Sequence, residues 1–226
     1  MNETQARDEI CRVGQSLFGR GYVHATAGNI SVQLDETEGG GLVMTPTDAC
    51  LGFLDPERLS RIDAQGQQTG GDKVSKTLAL HRTIYSAARA FDPATACVIH
   101  THSTHCVAAS LEATGAELLP ALTPYFVMKV GHVPLLPYQH PGSDESVAAV
   151  RQAIASYGQR GKPLRAVMLA RLGPNVWHTS PTAAMAVLEE LEETARLWML
   201  STPATRARVL GEADLKALRQ TFQARW

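Results

Sequence analysis

The 226-residue chain contains no run approaching the roughly 18 apolar residues that a membrane-crossing helix requires. It carries almost no net charge, -1 at neutral pH, so there is no electrostatic case for nucleic acid or an anionic membrane as partner. Its four cysteines, Cys11, Cys50, Cys97 and Cys106, form no C-x-x-C pair and lie among apolar or small residues. That argues against a dithiol redox centre or a thiolate metal site and reads as reduced, mostly buried thiols. Cys106 follows a histidine cluster, but no basic neighbour marks it as a nucleophile. There is no G-x-G-x-x-G, no P-loop, no internal repeat and no low-complexity tract. The opening segment MNETQARDEICRVG has neither the basic n-region nor the apolar h-region of a signal peptide, so the expected location is the cytoplasm.

What is present is ordinary for a globular enzyme: 44% hydrophobic and 19% charged residues. The length fits one α/β domain over residues 1–226 with a sizeable core. Helical periodicity predicts helices over 4–19, 75–89 (capped by Ser75), 143–157, from Ser180-Pro181 through Trp198, and 212–224. Alternation or short apolar runs predict strands at 30–34, 42–44, 60–63, 96–99, 133–136, 166–170 and 175–178. Several strands are joined by hairpin-like loops. The pattern predicts a mixed sheet layered by helices, with no doubly wound parallel sheet.

The sharpest chemical signal is His100-Thr101-His102 at the end of the apolar strand Ala96-Cys97-Val98-Ile99. Residues i and i+2 of an extended chain point to the same side, so two imidazoles can converge on one metal ion. Zinc is the default choice for imidazole. An H-x-H alone is common, and its place at a strand end with His105 nearby strengthens it. A second signal is spread over Ala27-Gly28-Asn29, Thr45-Pro46-Thr47 and Ser75-Lys76-Thr77. Each alone is plain turn or cap chemistry. Together their backbone N–H groups and hydroxyls could build an anion site, with Ser75 at a helix start favouring phosphate.

The order Gly-Asn-Ile-Ser, Thr-Pro-Thr, Ser-x-x-x-x-x-His and Val-Ile-His-Thr-His-x-x-His resembles the class II aldolase/adducin family over about residues 5 to 200. Within it, Leu-Gly-x-Leu-Asp-Pro, Gly-Asp-Lys, His-Ser-Thr-His, Thr-Pro-Tyr and Glu-Glu-Leu-Glu-Glu-Thr-Ala are similar to the 3-oxo-tetronate 4-phosphate decarboxylases. The resemblance implies a three-layer α/β/α domain, often a homotetramer with sites between subunits. It implies a divalent metal, zinc by preference, on His100 and His102. It also implies a phosphate site at Gly28, Asn29, Thr47 and Ser75, with Lys76 beside it. The implied reaction is carbon–carbon cleavage of a small sugar-acid phosphate through a metal-stabilised enediolate, with decarboxylation as the specific expectation.

Two positions depart from the family. The acid/base carboxylate of the aldolases is replaced by Thr77, whose hydroxyl cannot move a proton near neutral pH; this counts against an aldolase or epimerase like the fuculose-phosphate aldolases. The third metal histidine is replaced by Leu172; His140, in a loop that could approach, and His132 or His105 are candidates for a third ligand, against a plain surface or supporting role for each. A non-catalytic, adducin-like binding module is the third reading.

Overall fold

The computed structural model describes residues 1–206 and 208–226. Eight strands form one sheet: β1 (Asn29–Gln33), β2 (Leu42–Met44), β3 (Ser60–Ile62), β4 (Gln68–Gly70), β5 (Cys97–His100), β6 (Leu135–Leu136), β7 (Ala166–Leu169) and β8 (Gly173–His178). Their order is β4-β3-β2-β1-β5-β8-β7-β6. All neighbours are antiparallel except β6 and β7. The expected mixed sheet is therefore present.

Side-chain alternation splits the core into two layers. Ile30, Val32, Val43, Cys97, Ile99, Ala166, Met168 and Val176 face one side, where α1 (Glu3–Gly19), α3 (Thr104–Glu112) and α5 (Pro181–Leu200) cover them. Met44, Ile62, Val98, Val167 and Trp177 face the other, under α2 (Leu78–Ala88) and α4 (Asp144–Gln159). Beyond α5, a four-residue turn α6 (Pro203–Arg206) precedes α7 (Glu212–Phe222), which packs Leu215 against Ala121 and Val127. No helix among the described residues is long and apolar enough to cross a membrane.

Three expectations need correction. The helix predicted from Ser75 begins at Leu78, with Thr77 as the residue before it. Ser75 does not cap it; its hydroxyl accepts the Thr77 N–H at 3.3 Å within a preceding turn. The strand predicted over 133–136 shrinks to Leu135–Leu136: a π-helical turn over Phe126–Val130 precedes it, and Pro134 makes only an isolated bridge with Glu117. Strand β1, read as half-buried, is buried on both faces, and its polar Ser31 faces α2 instead of water. Strand β4 escaped prediction because Gln68-Thr69-Gly70 has no apolar alternation.

At the centre of the sheet, Asn29 of β1, His100 of β5 and Asn175 of β8 stand directly opposite one another. Two glycines let the chain pack against β5 at this point. A Cβ on Gly28 (φ +85°) would come within 2.8 Å of the His100 carbonyl oxygen, and one on Gly173 (φ +139°) within 1.9 Å of the Thr101 carbonyl oxygen. Behind them, the buried Glu192 of α5 accepts the N–H groups of His105 (2.9 Å) and Cys106 (3.0 Å), the orphan donors at the start of α3. Burial alone would raise the Glu192 carboxyl, but these donors outweigh it and hold the group ionised below its usual range.

Gly173→Ala is expected to destabilise the fold by roughly 2–4 kcal/mol, because a left-handed φ and a backbone clash add together. Urea unfolding of the purified variant measures it. A loss under about 0.5 kcal/mol would mean that the backbone moves aside freely.

Candidate active site

A cavity of about 250 Å³ opens beside the end of β5. The structure brings Gly28, Asn29, Thr47, Ser75, Lys76, Thr77, His100 and His102 together on its walls, although they come from four separate stretches of chain. Leu172 lines it too, with Leu169. The sequence did not mark the contribution of α4: Gly142, Ser143, Asp144 and Ser146 also face the cavity. Two helix N-termini, those of α2 and α4, thus open onto one space and bias it toward anions.

The imidazoles of His100 and His102 lie with ring centroids 5.1 Å apart. His100 is buried, and its Nδ1–H donates to the Pro174 carbonyl at 3.0 Å. That bond fixes the ring and leaves Nε2 as the free lone pair, the arrangement usual behind a metal-bound histidine. Burial, then the neighbouring His102, pushes the His100 pKa down to about 4. A neutral imidazole is the form a metal takes. Directly across the sheet, both amide atoms of the fully buried Asn175 lack a hydrogen-bond partner among the described residues. The donor set and this orphaned amide both fit a polar occupant at the floor of the site, and the two histidines fit a divalent ion.

Asn29 is aimed by a chain of buried groups. His81 Nε2 lies 2.6 Å from Asn29 Oδ1 and His81 Nδ1 lies 2.8 Å from Ser31 Oγ. Ser31 Oγ lies 2.9 Å from the Tyr85 hydroxyl, which donates to the Ser31 carbonyl at 2.9 Å. His81 is fully buried, and burial pushes its pKa down to about 3, so it stays neutral with one donor and one acceptor. With Nε2–H donating to Asn29 Oδ1, Ser31 donates to Nδ1 and the Asn29 NH₂ is left to face the cavity. The sequence showed His81 and Tyr85 only as part of a helix face. The pairing signal was there, four residues apart on α2 opposite a serine in β1, but it needs the sheet register to be seen.

The replacement ligands proposed from the sequence are otherwise engaged. His105 bonds Glu192 at 2.9 Å. His132 bonds Glu117 at 2.8 Å and stacks on Trp226 with centroids 4.3 Å apart. His140 is exposed, with Nδ1 3.3 Å from the Pro141 carbonyl; its neighbours Pro141 and Gly142 line the cavity and it does not. Thr77 Oγ1 sits 3.0 Å from Ser75 Oγ. Cys106 is buried, and burial pushes its thiol well above the usual range, so it is inert as a nucleophile.

The buried neutral histidines set a pH dependence of stability. Unfolded, His81 and His100 take up protons below about pH 6.5; folded, they stay neutral down to about 3 and 4. The unfolded state therefore binds more protons, and stability must fall as pH drops from about 6.5 toward 4. Urea titrations at a series of pH values should show that slope in the metal-free protein. A flat profile across this window would contradict the neutral assignment.

The sequence profile of the class II aldolase and adducin N-terminal domain matches residues 8–199. Among curated proteins, the chain is 49% identical over 229 residues to the 3-oxo-tetronate 4-phosphate decarboxylase of Cupriavidus necator, covering 99% of both chains. It is 41% identical over 198 residues to the enzyme of that name from Pectobacterium atrosepticum, covering 87% of this chain and 84% of the other. Among solved structures it superposes on YgbL from Klebsiella pneumoniae with a TM-score of 0.82 at 40% identity, covering 97% of this chain and 100% of that one. With the family profile, the curated relatives and the superposed structure in agreement, this chain belongs to the class II aldolase/adducin family.

Proposed function

We propose that the chain is a divalent-metal-dependent lyase that decarboxylates 3-oxo-tetronate 4-phosphate to carbon dioxide and a three-carbon ketose phosphate. The observation that carries this reading is the union, in one cavity of about 250 Å³, of an imidazole pair with a rim of hydroxyl, amide and ammonium donors. The relatives bearing that enzyme name, at 41–49% identity, support the same substrate.

The phosphate is held at the mouths of α2 and α4 by the Asn29 amide, the Thr47 and Ser75 hydroxyls and Lys76, with Gly28 allowing close backbone approach. The relay from Tyr85 keeps Asn29 in its donating pose without a rearrangement on binding. His100 and His102 would hold the ion, which when bound supplies Lewis-acid stabilisation of the charge that grows on the ketone oxygen. Zinc is the metal that imidazole favours. Leu169 and Leu172 give one wall no polar side chain, and a carboxylate facing it loses hydration that the departing neutral gas does not need. As carbon dioxide leaves, the electron pair of the broken carbon–carbon bond moves toward the ketone, and the carbon then takes up a proton. No proton is first removed from carbon, so a threonine at position 77 is no obstacle. An aldolase would need an acid/base there, and the Thr77 hydroxyl is tied to Ser75.

Protein supplied with zinc or manganese should release carbon dioxide from 3-oxo-tetronate 4-phosphate, and His100→Ala/His102→Ala should lower kcat/KM by at least about 1,000-fold. Asn29→Ala should act mainly on KM. No gas release by metal-loaded wild-type protein would sink the reading. Thr77→Glu, assayed for aldol cleavage of a ketose phosphate, asks whether the carboxylate alone separates the two chemistries; cleavage by the unmodified protein would favour the aldolase.

A further inference from the structure

Two histidines make an incomplete catalytic metal site, since such sites take three protein ligands and leave one position open. The chain has eight histidines. His81 has both ring nitrogens engaged, by Asn29 and Ser31. His105 and His132 are tied to carboxylates. His178 pairs with Cys97 at the opposite end of β5 from His100. His140 is exposed, with Nδ1 3.3 Å from the Pro141 carbonyl. One remains: His24, whose ring centroid lies 6.4 Å from that of His102, which in turn lies 5.1 Å from His100.

We propose that His24 is the third metal ligand of this chain, completing a three-nitrogen site with His100 and His102. This rests on the metal-dependent reading above and deepens it.

The distances decide how far the ring must move. With a metal–nitrogen bond of about 2.1 Å, each ring centroid sits about 3.2 Å from the ion, so two rings at the tetrahedral angle are about 5.2 Å apart. The His100–His102 pair already meets this. Two rings on opposite sides of one ion reach about 6.4 Å by the same construction, so His24 must close by roughly 1 Å. Among the described residues no three His, Cys, Asp or Glu side chains already converge on one point, so the closure accompanies binding. His24 is exposed, and on this proposal its side chain rotates to close the gap.

The backbone around His24 is held in place for this. The Ala27 N–H donates to the His24 carbonyl at 2.9 Å, closing a turn. Ala25 within it adopts φ +47°, a left-handed conformation disfavoured for any residue with a Cβ and one that gathers near functional groups. The turn runs into Gly28, which seats against the His100 carbonyl. His24 is thereby tethered to the strand end that bears the other two ligands, and Thr26 between them faces the cavity.

The test is binding of Zn²⁺ alone to metal-free protein, measured by competition with a chelating dye, together with the visible spectrum of the Co²⁺-loaded protein. Wild type should bind one ion per chain. His24→Ala should weaken binding by about 100-fold or more, since loss of even an outer-shell partner costs about 10- to 100-fold. The metal-free variant should keep the wild-type circular dichroism and Tm, and its Co²⁺ bands should change in position and intensity. His24→Cys should restore tight binding and add a near-ultraviolet sulfur-to-cobalt band, which a structural role for His24 would not produce. If His24→Ala binds with wild-type affinity and an unchanged Co²⁺ spectrum while His100→Ala/His102→Ala has lost the ion, the assignment of His24 is wrong and the metal reading stands. If wild-type protein binds no divalent ion, both fall.

Discussion

Everything in the site depends on β5 being clasped between β1 and β8. The register sets Asn29, His100 and Asn175 in one row, and the first two of these line the cavity. The clasp is tight because the backbone approaches on both sides of the His100-Thr101 peptide are made by residues without a side chain. Gly28 lies over one carbonyl and Gly173 over the next. Pro174 then accepts from both the Thr101 N–H and the His100 ring. A pair of side chains at a strand end keeps its geometry when the chain beyond the strand is pinned, and here it is pinned by Pro174 on one side and by the Glu192 cap of α3 on the other.

The same face of the sheet solves a second problem, how to keep polar groups in a core without losing their pairing. The serine that sequence alternation placed toward water is buried and belongs to a closed chain with His81, Tyr85 and Asn29. The Tyr85, Ser31 and His81 donors each have an acceptor and only the Asn29 NH₂ is left over, so their burial fixes the orientation of one amide instead of penalising the fold. Leu169 and Leu172 line the same cavity as the Asn29 amide that this chain aims. Charge can therefore be held at one end of a substrate and left unsolvated at the other.

Much of this was legible in the sequence. The helices, most strands and the two-sided core follow from periodicity, and the His-x-His pair at a strand end was visible with its geometry. The anion loops were recognisable only as a set, since Thr47 and Ser75 are unremarkable turn residues one at a time. What stayed hidden depended on register. Asn175 opposite His100, Ser31 opposite α2 and the start of α4 at the cavity are products of pairing between distant segments, and no local pattern encodes them. The helix start at Leu78 was misjudged because Ser75 has the chemistry of a cap but forms its own turn with Thr77. His24 carried no signal at all beside Gly28-Asn29, because its neighbour His102 is 78 positions away in the chain.

The order of the strands has a consequence for synthesis. The central trio β1, β5 and β8 is drawn from the first, middle and last thirds of the chain, and β8 ends only at His178. Contacts of such sequence separation form late, after large loops have closed. While the chain leaves the ribosome, His100 and His102 thus sit for a long interval at the end of a strand that can pair only on its β1 side, with Pro174 not yet made. The spacing of the two imidazoles is therefore a property the protein acquires only when its last strand closes the sheet.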